Sequence, residues 1–331
     1  MKLPKSYQCF EVTSSTGLLA LQIRTRVAQH LLRPLHAATD DRDRDVGWAP
    51  IFDPCGPAAS TGEMIASYVP LSFRVDALQI HGGTLKMRQR AAELAWCQEN
   101  HRQTMPRQQR KALCAELRRL ARLTAPTTTK AIPVVWDLDR RRLQVFCPSP
   151  KAAEEITELF GSTFDAETVA IDPAKLLGRD DMDATGSLFL LWIWLRALAQ
   201  RDDDPLQVAL VGRLQLVDDG SMTATYTVDE PAQLAEACLA IGIGRAVAAM
   251  RLQLSWDGKT YEVTLDADTF VRSGVKHPVV VATAEDEHFT EELDLLEQLD
   301  RTIEELFRKF MLEAVDEGAL RKLIASSLTP V

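Results

Sequence analysis

The alternation of apolar and polar positions marks out elements along the whole chain. Tyr7 to Thr13 reads as a strand, and Leu18 to Leu35 as a helix, because Leu19, Ile23, Val27 and Leu31 recur every four residues. Leu71, Phe73 and Val75 alternate with Ser72, Arg74 and Asp76, the pattern of a half-buried strand. Pro70, which cannot donate to a ladder, suggests a sheet edge or the start of that strand. Two helices follow, Thr84 to about Gln103 and Arg107 to about Leu123, with Pro106 at the start of the second, where a missing N–H costs little. From Pro133, V-V-W-D-L-D-R-R-R-L-Q-V-F-C predicts two short strands about a polar turn. The next phrase, S-P-K-A-A-E-E-I-T-E-L-F-G, predicts a helix capped by Ser149, begun by Pro150 and ended by Gly161.

Further on, Leu188 to Leu195 is a short apolar run, far below the roughly 20 residues that span a bilayer, and reads as a buried element. Thr223 to Val228 predicts a strand and Pro231 to about Ile241 a helix. R-L-Q-L-S-W-D-G-K-T-Y-E-V-T-L predicts a hairpin on a type I′ turn at Asp257-Gly258, and it is a candidate repeat of the hairpin that starts at Pro133. Thr290 to Leu312 is a long amphipathic helix with Leu293, Leu296, Leu299, Ile303, Leu306 and Phe310 at three- and four-residue steps. The pattern covers fewer than four heptads, so packing on its own domain is preferred to a dimer coil. The class is α+β, with antiparallel or mixed sheets. Four parts are expected: 1–83, a strand-helix-strand part; 84–130, a helical hairpin; 131–215, a hairpin-helix part; and 216–331, a strand-helix-hairpin unit closed by the long helix.

Charge changes this picture at one place. The 331 residues carry a net charge of −9, which argues against a polyanionic partner if the charge is evenly spread. It is not: Lys86, Arg88, Arg90, Arg102, Arg107, Arg110, Lys111, Arg118, Arg119, Arg122 and Lys130 stand against only Glu93, Glu99 and Glu116, a local balance of +8. The chain is an acidic body carrying a basic helical hairpin. Leu113, Leu117 and Leu120 line one face of the second helix and most of its bases fall off that face, giving an apolar seam and a basic exterior. The bland reading is a solvated helix face. The sharper one is a nucleic-acid interface in which Arg88, Arg90, Arg102, Arg107, Arg110, Lys111, Arg118, Arg119, Arg122 and Lys130 contact phosphates.

Signs of catalysis are weak. Asp180, Asp181 and Asp183, and again Asp202 to Asp204, are the kind of oxygen donors that hold Mg²⁺ in a nuclease, but each cluster sits in a polar break without a second half-site and reads as a solvated loop. D-D-R-D-R-D, Asp40 to Asp45, also reads as a solvated loop. The histidines His30, His36, His81, His101, His277 and His288 are isolated from one another and assemble no triad. Cys9, Cys55, Cys97, Cys114, Cys147 and Cys238 form no C-x-x-C pair and read as small core residues in a reducing compartment. I-G-I-G-R, with Gly242 and Gly244, follows a helix and reads as its C-cap, and no Walker A loop is present, so no cofactor is expected. The opening M-K-L-P-K-S-Y-Q-C-F lacks the apolar run of a secretory signal, and the expectation is a cytoplasmic protein.

The order of phrases carries one more reading. A strand and helix are followed by V-G-W-A-P at Val46 to Pro50, the basic hairpin, V-V-W-D, the S-P-K-A-A-E-E helix and L-S-W-D-G-K-T-Y-E-V-T-L-D-A-D-T-F. This resembles the recombination-associated protein RdgC family across nearly the whole chain, with Gly47-Trp48, Trp136-Asp137 and Ser255-Trp256 as landmarks and F-L-L-W-I-W, Phe189 to Trp194, as in divergent members. The resemblance implies a curved protomer, a homodimer closing into a ring around DNA, little sequence preference, no enzymatic step, nucleoid association, and inhibition of RecA-promoted recombination. More typical members have an aromatic residue after the hairpin where this chain has Thr127-Thr128-Thr129, and a Lys-rich strand where it has T-A-T-Y-T with Tyr226. Binding must then rest more heavily on the hairpin. The competing functions are a metal-dependent nuclease using the Asp clusters and an interaction scaffold whose hairpin meets an acidic partner.

Overall fold

The computed structural model describes residues 2–13, 19–33, 35, 42–57, 60–177, 185–200, 204–218, 222–313, 318, 321–322 and 324. In chain order its elements are β1 (Gln8–Val12), α1 (Ala20–Gln29), β2 (Arg44–Ala49), β3 (Tyr68–Leu78), α2 (Gly82–Glu99), α3 (Arg107–Thr124), β4 (Thr127–Asp137), β5 (Arg142–Val145), α4 (Pro150–Phe164) and β6 (Thr168–Ala170). There follow α5 (Pro173–Leu177), α6 (Thr185–Ala199), β7 (Gln207–Val217), β8 (Thr223–Thr227), α7 (Pro231–Gly242), β9 (Ala246–Trp256), β10 (Lys259–Asp266), β11 (Arg272–Lys276) and α8 (Glu285–Leu312). The strands form two antiparallel sheets, so the class is α+β. The chain divides into two compact units: the first holds Met1–Leu18, Glu63–Pro70 and Pro133–Val331, the second Leu19–Gly62 and Leu71–Ile132. Strands β3 and β4 each contribute one part to either unit.

In the first unit the C-terminal part of β4 pairs with β5, β5 with β1 and β1 with β6, while a second sheet runs β11-β10-β9-β7-β8. Asp257 and Gly258, with φ of 49° and 71°, make the two-residue turn that joins β9 to β10, as the Asp-Gly pair predicts. Ser149 caps α4 through its Oγ, which accepts from Ala152 N at 3.4 Å. The helix does not end at Gly161, however. It runs on to Phe164 and stops at Asp165 in the left-handed region (φ 54°), because Phe160 and Phe164 both pack against the buried Trp136, with ring centroids 5.1 and 4.9 Å away. Gly244, at φ 111°, follows the C-terminus of α7 as expected of a cap.

Helix α6 is buried from Phe189 to Trp194, and Phe189 meets Phe270, Phe307 and Phe310 at 5.1–5.7 Å. Gly186 opens that helix so close to the Ala267 carbonyl oxygen that a Cβ would overlap it. Helix α8 begins at Glu285, earlier than Thr290, and every apolar position named for it, Leu293 to Phe310, is buried. The same helix also buries Glu292, Glu297, Asp300 and Glu304; Arg140, Arg272 and Arg142 meet the last three in turn, and the His277 ring faces Glu292.

At the centre of this unit Asp300 and Arg272, 0% and 1% exposed, form an ion pair of 2.8 Å. Tyr7 Oη and Cys9 Sγ donate to the same carboxylate at 3.1 and 3.3 Å, and Arg272 Nη1 donates to Phe270 O at 2.6 Å. Burial pushes the Cys9 thiol and the Tyr7 phenol up, and the negative charge of Asp300 pushes them further. Burial is the largest influence and opposes the Arg272 charge, but Asp300, Cys9, Tyr7 and Glu304 together outweigh it and raise the guanidinium.

The second unit is built on β2, β3 and the N-terminal part of β4. Helix α1 is shorter than the four-residue periodicity suggests. Only Ile23 and Val27 are buried and Leu19 is 69% exposed, because after His30 the chain leaves the helix for an isolated bridge between Leu31 and Trp48. Gly47 lies under that bridge, where a Cβ would overlap the Leu32 backbone, and the buried Trp48 meets Phe73 edge-on. Strand β3 is not a sheet edge, since β2 and β4 flank it. Pro70 precedes Ser72, the first residue paired with β2, so that ladder does not need its N–H. Nor does β3 keep its polar face wet: Ser72 and Asp76 are buried, Asp76 accepting two bonds from Arg74 and one from Thr129.

Candidate nucleic-acid interface

The basic hairpin lies wholly in the second unit, between β3 and β4. Its base is closed by Gln79 N donating to Pro126 O at 2.9 Å. At its tip His101 takes a left-handed conformation (φ 52°), Arg102 N returns to Cys97 O, and Met105 tucks in at 8% exposure. Neither α2 nor α3 buries a single residue. The inner face of α3 is half-buried at Leu113, Cys114, Leu117 and Ala121. Leu120, expected in this seam, is 45% exposed, because Cys114 and Ala121 lie on the face turned to α2 and displace it.

The cations fall into two groups. Near the base, Arg118 Nη2 and Arg122 Nε hold the two oxygens of Asp43 at 2.5 and 3.0 Å, and Arg122 Nη2 donates to Arg42 O at 3.0 Å. The Arg122 side chain is only 13% exposed as a result. The D-D-R-D-R-D stretch is thus not a plain solvated loop: Asp43 anchors α3, while Arg44 and Asp45 already belong to β2. Asp40 and Asp41 lie outside the described residues. Arg119 pairs with Glu116 on its own helix at 2.8 Å, and Arg110 approaches Glu93 of α2 at 3.7 Å.

Arg88, Arg90, Arg102, Arg107 and Lys111 are exposed and have no ion-pair partner among the described residues. Lys130, equally exposed, sits on β4 and not in the hairpin, because the strand already begins at Thr127. Thr128 and Thr129 are engaged with Ala77 O and Asp76 of β3. At 100° per residue, Arg107, Lys111, Arg118 and Arg122 share one face of α3 within roughly 60°, a stripe about 22 Å long. Its outer half is free and its inner half is pinned by Asp43. Chemically, that arrangement offers a row of positive charge, part of it paired with Asp43 and part unpaired among the described residues.

The other candidates gain no site. Asp180, Asp181, Asp183, Asp202 and Asp203 lie outside the described residues, and Asp204 accepts from Gln207 through its carbonyl. No three His, Cys, Asp or Glu converge on a metal position among the described residues. Cys9, Cys147 and Cys238 are buried, whereas Cys55 is exposed and so is no core residue. Among the described residues no helix is long and apolar enough to cross a membrane. The landmark residues pack: Trp136 on Phe160, Trp48 on Phe73, and Trp256 stacked on Tyr261 with ring centroids 4.4 Å apart. Sequence reasoning missed Asp43 as the acceptor of two arginines and the buried acids of α8, although the run Arg140-Arg141-Arg142 hinted at their counter-ions. No protein-family model matches this chain, and no curated protein shows significant similarity to it.

Proposed function

We propose that this protein binds DNA without sequence preference and performs no chemistry on it. The observation that carries the reading is the set Arg88, Arg90, Arg102, Arg107, Lys111 and Lys130, exposed and without ion-pair partners among the described residues, in a chain whose remainder is strongly acidic. Uncompensated arginines and lysines on a helical arm and the strand that follows it bind phosphates through counterion release, and an acidic remainder repels the duplex from the rest of the surface. The resemblance to RdgC extends the proposal: a curved protomer with the hairpin protruding, a homodimer closing as a ring around DNA, a place on the nucleoid in the cytoplasm, and restraint of RecA-promoted recombination by occupying DNA.

Fluorescence anisotropy on random duplexes at a series of salt concentrations tests this. With five or six phosphates neutralised, log K should fall against log salt with a slope of about −5, equally for unrelated sequences. A flat salt dependence, or binding only to acidic proteins, would replace the DNA reading with the scaffold. Mg²⁺-dependent cleavage of the same duplexes would establish the nuclease instead.

A further inference from the structure

A cavity of about 330 Å³ lies in the first unit where three segments meet: Lys2 to Lys5, the stretch from Val275 to Val280 that ends β11, and the α8 face bearing His288, Glu292 and Leu296. Its N-terminal wall is tied down by Val275 N donating to Lys5 O at 2.9 Å. One wall is a carboxylate that ought not to be left incomplete. Glu292 is 3% exposed; its Oε1 faces His277 Nε2 at 3.4 Å, but its Oε2 has no hydrogen-bond partner among the described residues. A buried acceptor without a donor costs free energy unless a ligand or water supplies one.

The chemistry of the missing donor follows from the neighbours. His277 Nδ1 lies 2.8 Å from Pro278 O, which can only accept, so Nδ1 carries hydrogen. Its Nε2 faces Glu292 Oε1, a second acceptor, so one carboxylate oxygen of Glu292 already has a donor aimed at it. What Oε2 lacks is a donor of its own, an O–H or N–H. Meanwhile Lys2 and Lys5 line the same cavity, exposed and unpaired among the described residues, and two such ammonium groups call for an anion. Lys276 is already engaged by Glu262 at 2.9 Å. A single small group that brings both negative oxygens and a hydroxyl is a protonated phosphate.

We propose that this cavity binds a phosphate group that still carries a proton, either free phosphate or a terminal phosphomonoester, with the hydroxyl donating to Glu292 Oε2 and the anionic oxygens facing Lys2 and Lys5. The site is independent of the DNA reading, since an internal phosphodiester has no such proton. Sulfate matches the charge but lacks the hydroxyl at neutral pH.

The test is titration calorimetry on the full chain near neutral pH and at matched ionic strength, with sodium phosphate, methyl phosphate, dimethyl phosphate and sodium sulfate as ligands. Phosphate or methyl phosphate should bind at least tenfold more tightly than sulfate and dimethyl phosphate, the loss expected for one charge-assisted hydrogen bond. Tighter binding of phosphate than of methyl phosphate identifies the free ion as the ligand, and the reverse order the monoester. Glu292→Gln, whose amide can donate to an oxyanion, should weaken phosphate binding and strengthen that of sulfate. Should circular dichroism show that variant unfolded, Lys2→Ala with Lys5→Ala, at exposed positions, must lower phosphate affinity by at least tenfold. Equal binding of sulfate and phosphate by the parent, absence of phosphate binding, an unchanged preference in folded Glu292→Gln, or full affinity in the double lysine variant would overturn the proposal.

Discussion

Truncating Asp300 to alanine removes the counter-ion of a guanidinium that is 1% exposed, and takes the acceptor from Tyr7 Oη and Cys9 Sγ in the same step. Breaking a buried ion pair costs about 3–5 kcal/mol, because the remaining charge stays out of water without a partner. The orphaned phenol adds about 1 kcal/mol, partly counted already. A total near 4 kcal/mol is roughly three decades in the folding constant, against the 5–15 kcal/mol that typically holds a domain together. Urea unfolding followed by tryptophan fluorescence reads this as a lower midpoint at an unchanged slope. The informative companion is Tyr7→Phe with Arg272→Met and Asp300→Leu, which removes all the charge and should return to within about 1–2 kcal/mol of the parent, since apolar replacement of a buried pair is often neutral. If Asp300→Ala stays within about 1 kcal/mol of the parent, or the triple variant is no better than the single one, the pair is not desolvated as argued.

Arg107→Glu with Lys111→Glu should leave the melting temperature unchanged and reduce the salt slope of DNA binding by about 2, read by anisotropy. A folded double variant that binds as the parent does would leave the hairpin a solvated face. Arg122→Glu should instead lower thermal stability by about 1–2 kcal/mol, since it sets a half-covered carboxylate against Asp43; an unshifted melting curve would contradict the ion pair. Gly186→Ala should yield unfolded or aggregated protein, as its Cβ overlaps the Ala267 carbonyl, and normal near-ultraviolet dichroism would refute the close approach. His277 is raised by its hydrogen bond to Glu292, so its stabilisation is fully present below the unfolded imidazole value of about 6.5 and is lost as pH rises through the higher folded value. Melting temperature against pH should therefore decline more steeply there for the parent than for His277→Gln, and parallel profiles would sink this.

Local periodicity made most of the fold legible: the β9–β10 hairpin with its Asp-Gly turn, the Ser149 cap, the hairpin helices and the apolar seam of α8 all depend on residues within one or two turns of each other. What was hidden depends on partners far along the chain. Leu31 leaves its helix to bridge Trp48, β3 buries Asp76 because Arg74 and Thr129 complete it, and Asp300 is buried because Arg272 and Tyr7 arrive from elsewhere. At the hairpin, composition gave the sign of the charge but not which arginines were spoken for. Asp43 lies 75 residues from Arg118, and no spacing rule links them.

Because α2 and α3 fully bury no residue, the exposed positions of the arm, outside its half-buried seam and the Arg122 anchor, can be exchanged at little cost to folding, with surface substitutions usually shifting stability by about 0.5 kcal/mol or less. The arm is therefore a part of the molecule that can drift. On the proposed DNA reading, each arginine gained or lost there would change the ionic strength at which the duplex is released, whereas Gly47, Trp48 and Trp136 are held by the space around them. The fold is thus set by packed residues, and the strength of any polyanion contact proposed for the arm by residues that packing leaves alone.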